Sequence, residues 1–125
     1  MSEFYNLLQQ IQHKPGLYLG QISISNLYMF LQGYSFARRQ LNIPPSKEEQ
    51  LFREFQPWLQ QRFNVQTSQA WSQIILLTVL DEQDAFNRFF DLLGEFLQHQ
   101  SKESKNEQPV IYHKQKLDEF EFSLA

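Results

Sequence analysis

Residues 81–97 read Asp81-Glu82-Gln83-Asp84-Ala85-Phe86-Asn87-Arg88-Phe89-Phe90-Asp91-Leu92-Leu93-Gly94-Glu95-Phe96-Leu97. Apolar residues fall at Ala85, Phe86, Phe89, Phe90, Leu93, Phe96 and Leu97. That is the i, i+3, i+4, i+7 recurrence of a helix with one buried face. Asp81, Glu82 and Asp84 crowd the first turn, where the helix dipole and the unpaired N–H groups favour negative charge. No other stretch is as strongly amphipathic, and it sets the class as all-α.

Upstream, Ile74-Ile75-Leu76-Leu77-Thr78-Val79-Leu80 is apolar on every face. Propensity alone would allow a buried strand. The cap offered by Thr67 or Ser68 and the lack of a strand partner favour a central, fully buried helix over 69–80, against which Phe86, Phe89, Phe90 and Leu93 pack. Further back, Ser46-Lys47-Glu48-Glu49 fits the S-x-x-E capping box. The stripe Leu51, Phe52, Phe55, Leu59 and Phe63 follows, interrupted by Pro57, which predicts a kink or two short helices. Ser23 or Ser25 starts a helix that runs to about Leu41 and is stopped by Asn42 and Pro44-Pro45. Gly33 stands in its middle, at a cost of about 1 kcal/mol relative to Ala, which predicts a close approach by another backbone or a large ring. A first helix over 3–12 carries Phe4, Leu7, Leu8 and Ile11 and ends at Lys14-Pro15-Gly16. Leu17 to Gly20 reads as a loop or extended piece.

Downstream, residues 99–108 are wholly polar, a linker composition. Phe120, Phe122 and Leu124 then alternate with charges, as in a short edge strand or docking tail. The expected organisation is a single compact domain over 1–98, of about five helices with an aromatic-rich core, and a polar linker plus short tail over 99–125.

Composition narrows the function classes. Of 125 residues, 12 are Phe, 5 Tyr and 2 Trp, so the core is built on rings. There is no cysteine, which excludes disulfides, thiolate metal sites and thiol catalysis. A net charge of −3 argues against general nucleic-acid binding, which needs a basic face. No apolar run approaches a membrane span and the N-terminus lacks the pattern of a signal peptide. No membrane partner and a cytoplasmic location are therefore expected.

The chemistry-bearing residues do not assemble into a reaction. His13, His99 and His113 are isolated, without a second ligand at i+3 or i+4, so no metal or other cofactor is expected. The carboxylate pairs at Glu48-Glu49 and in the 81–84 cluster sit at helix starts, where capping explains them. Arg38-Arg39 lies near a helix C-terminus, favourable by dipole alone. Tyr18, Tyr34 and Arg38 are the one polar set that would form a catalytic pocket if they converged.

The segment K-P-G-L-Y-L-G at 14–20 looks like the R-P-G-M-Y-I-G stretch of gyrase B-type ATPase domains. The helix that follows it here carries no acidic residue, and the later glycine-rich nucleotide motifs are missing. A broader pattern joins that segment to S-x-x-L-x-x-F-L-x-G-Y-x-F-A-R-R, F-x-x-F-x-x-W-L-x-x-R-F and D-E-x-D-A-F-x-x-F-F-x-L-L-x-E-F. Over about residues 3 to 98 it resembles a family of small bacterial proteins of unassigned activity. Proteins of this size and acidity include immunity proteins, which block the toxins of competing cells. The resemblance therefore implies a non-enzymatic binding protein that neutralises a bacterial toxin by occluding its active site. An acidic face would be steered onto a basic toxin domain. The expected partner-binding residues are Asp81, Glu82 and Asp84, the tail residues Asp118, Glu119 and Glu121, and Tyr18 and Trp58 as aromatic anchors. The alternative is a self-associating regulatory or scaffold module, a homodimer paired through the tail strand.

Overall fold

The computed structural model describes residues 3–107. Among them every regular element is a helix: α1 (Glu3–His13), α2 (Pro15–Leu19), α3 (Ile24–Gln40), α4 (Lys47–Phe52), α5 (Phe55–Arg62), α6 (Trp71–Leu76) and α7 (Glu82–Glu107). The class is all-α, as the sequence predicts. Seven segments replace the expected five because 46–63 divides and 15–19 adds a turn of its own. α7 packs along α3 and α6 and touches α5, while α1 lies against α2 and α4.

The helix ends follow local chemistry. The Ser23 hydroxyl caps α3 by accepting from Asn26 N at 3.0 Å. Asn42 then takes the left-handed conformation (φ 60°), and Ile43 N donates back to Arg38 O at 2.9 Å. Asn64 (φ 54°) does the same after α5, with Val65 N on Gln60 O at 2.9 Å. Both are the 6→1 closures that satisfy orphan carbonyls. The Ser46 hydroxyl caps α4 by accepting from Glu49 N at 3.1 Å, but only half of the capping box forms. The Glu49 carboxylate turns to Arg38, 2.9 Å away. Pro57 sits in the first turn of α5, where its missing N–H costs nothing. Its ring crowds the carbonyl four residues back, and the break at Arg53-Glu54 falls there, giving two short helices.

The core is a continuous chain of rings. Phe55, Phe86, Phe89 and Phe96 are fully buried. Phe55 stacks on Phe52 at 5.4 Å and meets Phe89 and Phe96 edge-on, each at 5.5 Å, while Phe89 lies 4.9 Å from Trp71. Burying one such ring contributes about 2–3 kcal/mol, and each well-oriented pair adds about 1 kcal/mol. Leu92, outside the stripe read from the sequence, is fully buried, whereas Phe90 and Leu97 are only half-buried. The buried face of α7 thus centres on Ala85, Phe89, Leu92 and Phe96.

Four expectations are corrected. Residues 15–19 form a helix and not a loop: Pro15 presets its first turn, and Gly20 closes it in the left-handed conformation (φ 85°). The apolar run ending at Leu80 is not one buried helix. α6 stops at Leu76, and Leu77 and Leu80 are 83% and 91% exposed. Thr67 and Ser68 do not cap α6, whose start is Ala70 without a side-chain cap. Gly33 accommodates no neighbour among the described residues, since a Cβ there would meet none of them within 4 Å. In addition, α7 continues without a break past residue 98 to Glu107, so the composition change at 99 does not end the helix. The tail strand lies outside the described residues.

Candidate partner-binding site

The corner between α6 and α7 is where the apolar run leaves the core. Leu77 N donates to Gln73 O at 3.1 Å, and both the backbone and the hydroxyl of Thr78 donate to Ile75 O, at 2.9 and 2.7 Å. This tight closure ends α6 and turns the chain away. Val79 still packs on the core. Leu77 and Leu80 on either side of it face out, the two most exposed large hydrophobic side chains among the described residues. Asp81 follows and starts α7: its Oδ1 accepts from Asp84 N at 2.9 Å, and its carbonyl accepts from Ala85 N at 2.9 Å. Two outward leucines thus stand beside two carboxylates that have no cationic partner among the described residues. Chemically, the corner offers an apolar contact with an acidic rim.

Glu82 does something different from its neighbours. Its Oε1 accepts from the Ser23 hydroxyl at 2.8 Å and from Ser25 N at 2.9 Å, and its Oε2 accepts from the Ser25 hydroxyl at 2.8 Å. Ser23, 2% exposed, is the residue that caps α3. The carboxylate therefore holds the cap that holds the helix. Burial pushes the Glu82 carboxyl up. Hydrogen bonds from the Ser25 N–H and hydroxyl and from Ser23 outweigh it and leave the group below its usual range. Glu82 is a clamp between α7 and α3, and its carboxylate is already engaged.

The other predicted residues do not join the corner. Tyr18 is half-buried on α2, its hydroxyl donating to Gln10 Oε1 at 3.0 Å and its ring edge-on to Phe30. Trp58 is half-buried, stacked on Phe55 and edge-on to Phe96. Each acts as packing at the margin of the core. Asp118, Glu119 and Glu121 lie outside the described residues. Of the polar set considered for catalysis, Tyr34 and Arg38 meet, with the guanidinium 5.4 Å above the ring. Tyr18 instead lines a separate cleft of about 530 Å³ with Gln10, His13 and Lys14.

Much of the acidic complement is committed to structure. The Glu48 carboxylate accepts from Tyr5 N at 2.9 Å, tying α4 to the start of α1. Burial, then the nearby Glu48 charge, pushes the Tyr5 phenol up to about 12. Glu95 takes a two-pronged bond from Arg62 at 2.9 and 3.3 Å. An open groove of about 760 Å³ runs between α5 and α7, with Trp58, Glu54, Gln61, Asn64 and His99 on its walls. Burial raises the Glu54 carboxyl, while His99 lies 3.6 Å from Glu103 on its own helix.

Sequence reading placed the acidic half of the corner and missed the leucines, because an unbroken apolar run carries no phase to say which residues face out. Compared with known proteins, the chain matches no family model, no curated protein and no solved structure.

Proposed function

We propose that this chain is a protein-binding module that works by covering a surface of its partner, with the α6–α7 corner as the contact. The observation that carries the reading is the pairing of Leu77 and Leu80, 83% and 91% exposed, with the acidic Asp81 and Asp84. Exposed apolar side chains rimmed by charge mark interaction surfaces. The carboxylates select a basic partner and steer its approach. The finer reading is an immunity protein, acting in the cytoplasm, that occludes the active site of a basic toxin domain. The net charge of −3 supports it. Among the described residues, no helix is long and apolar enough to cross a membrane.

The test is retention of a partner from source-cell extract on the immobilised full-length chain, identified by mass spectrometry and followed by titration. Leu77→Asp with Leu80→Asp, and Asp81→Ala with Asp84→Ala, serve as variants. Glu82 is left intact because it holds α3. The expected result is one stoichiometric, basic partner that the leucine variant loses and the aspartate variant binds about tenfold more weakly at low salt. Equal retention by all three proteins would remove the corner as the contact.

A further inference from the structure

Going beyond that reading, we propose that the outward face of α3 is a self-association surface, occupied by α3 of a second copy of this chain running antiparallel across a two-fold axis at Gly33. α3 carries apolar side chains on two sides. Ile24, Leu27 and Leu31 enter the core, while Ser25, Met29, Gly33, Phe36 and Gln40 recur at helical spacing on the opposite side. Met29 is 66% and Phe36 53% exposed. Gly33 lies one residue from the midpoint of this 17-residue helix, and nothing among the described residues explains it, since a Cβ would meet none of their atoms within 4 Å. A mid-helix glycine on an exposed apolar face lets another backbone approach closely.

The charges at the two ends of the face identify the occupant. α3 carries no acidic residue, and its only charges are Arg38 and Arg39 in the last turn. Arg38 is engaged by Glu49. The Arg39 guanidinium lies 5.6 Å above Phe36 at the end of the outward stripe and has no acidic partner among the described residues. At the other end, the Glu82 carboxylate is bonded to Ser25, the first residue of the same stripe. The face therefore runs from acidic to basic and complements itself when reversed. With a rise of about 1.5 Å per residue, Arg39 lies about 9 Å and Ser25 about 12 Å from Gly33. An antiparallel partner thus brings each Arg39 toward the other copy's Ser25–Glu82 end. Met29 of one copy meets Phe36 of the other on both sides of the axis, a favourable sulfur–aromatic contact. This is the isologous geometry of a two-fold dimer. A strip about 25 Å long and one helix wide is smaller than a permanent interface needs, so the dimer is weak and reversible.

Sedimentation equilibrium of the full-length chain at roughly 10 to 500 μM brackets the affinity such a contact supports. The expected result is a reversible dimer. Phe36→Glu and Gly33→Gln each raise its dissociation constant by about tenfold or more. Gly33→Gln leaves the urea midpoint at or above that of the parent, which separates lost pairing from lost folding. Arg39→Gln weakens the dimer severalfold at low salt and removes its salt dependence. A chain that stays monomeric up to the highest concentration overturns the proposal. So does a dimer that Phe36→Glu and Gly33→Gln leave unchanged, the outcome of pairing through the tail.

Discussion

The apolar run 74–80 and the aromatic stripe of α7 are neighbours in sequence and both supply large apolar side chains, yet they meet different fates. In α7 the rings recur with the helical period, so Phe86, Phe89 and Phe96 all reach the interior. In the run the apolar residues are continuous. α6 buries Ile74 and Ile75 and stops at Leu76, so Leu77 and Leu80 fall where the chain turns away and come out. Period decides what a small core absorbs, and the surplus becomes surface.

The comparison can be broken at either end. Phe89→Ala removes a fully buried ring touching Phe52, Phe55, Phe90 and Trp71 and is expected to cost about 3–5 kcal/mol in urea denaturation. A midpoint unchanged by it would mean that α7 does not organise the core. Ile75→Ala, within the run, is expected to cost about 2–4 kcal/mol. Leu77→Ser, two residues on, should fall within about 0.5 kcal/mol of the parent. Similar losses at the two sites would show that the corner is packed after all.

Between these extremes lies Glu82→Ala, expected to cost about 2 kcal/mol because it strips acceptors from the buried Ser23 hydroxyl and from Ser25. Its pH signature has a definite sign. The carboxyl is held below its ordinary value of 4.5, so its contribution is fully present above that pH. It is lost as pH falls through the lower folded-state value. Glu82→Gln should flatten this acid limb, and an identical pH–stability curve would rule out the clamp.

The legible part of the fold was the part with phase or with a cap. The helix starts at Ser46 and Ser23 (one of two candidate caps) and the break before Pro57 follow from short-range rules and are found there. The α7 stripe holds except that Leu92 is buried while Phe90 and Leu97 are half-buried. Gly33 shows the limit: its cost could be read from the sequence, but the reason read for it, a close neighbour, is not found among the described residues. The acidic cluster shows another. Asp81, Glu82 and Asp84 look equivalent in sequence, yet only Glu82 reaches a helix 57 residues away. Tertiary geometry, which no local pattern encodes, divides them into one clamp and two surface groups.

The Glu48 contact has a consequence for how the molecule assembles. The amide of Tyr5 lies in the first turn of α1, where a helix normally finds its acceptor within its own few residues, but its acceptor sits 43 positions along the chain. Ser23 likewise relies on Glu82, 59 positions away. Two helices are thus finished only by elements synthesised after them. Each start frays in isolation and becomes protected when the remote carboxylate docks, which couples local winding to global folding. In native-state hydrogen exchange, the Tyr5 amide should open together with α4 rather than with the rest of α1.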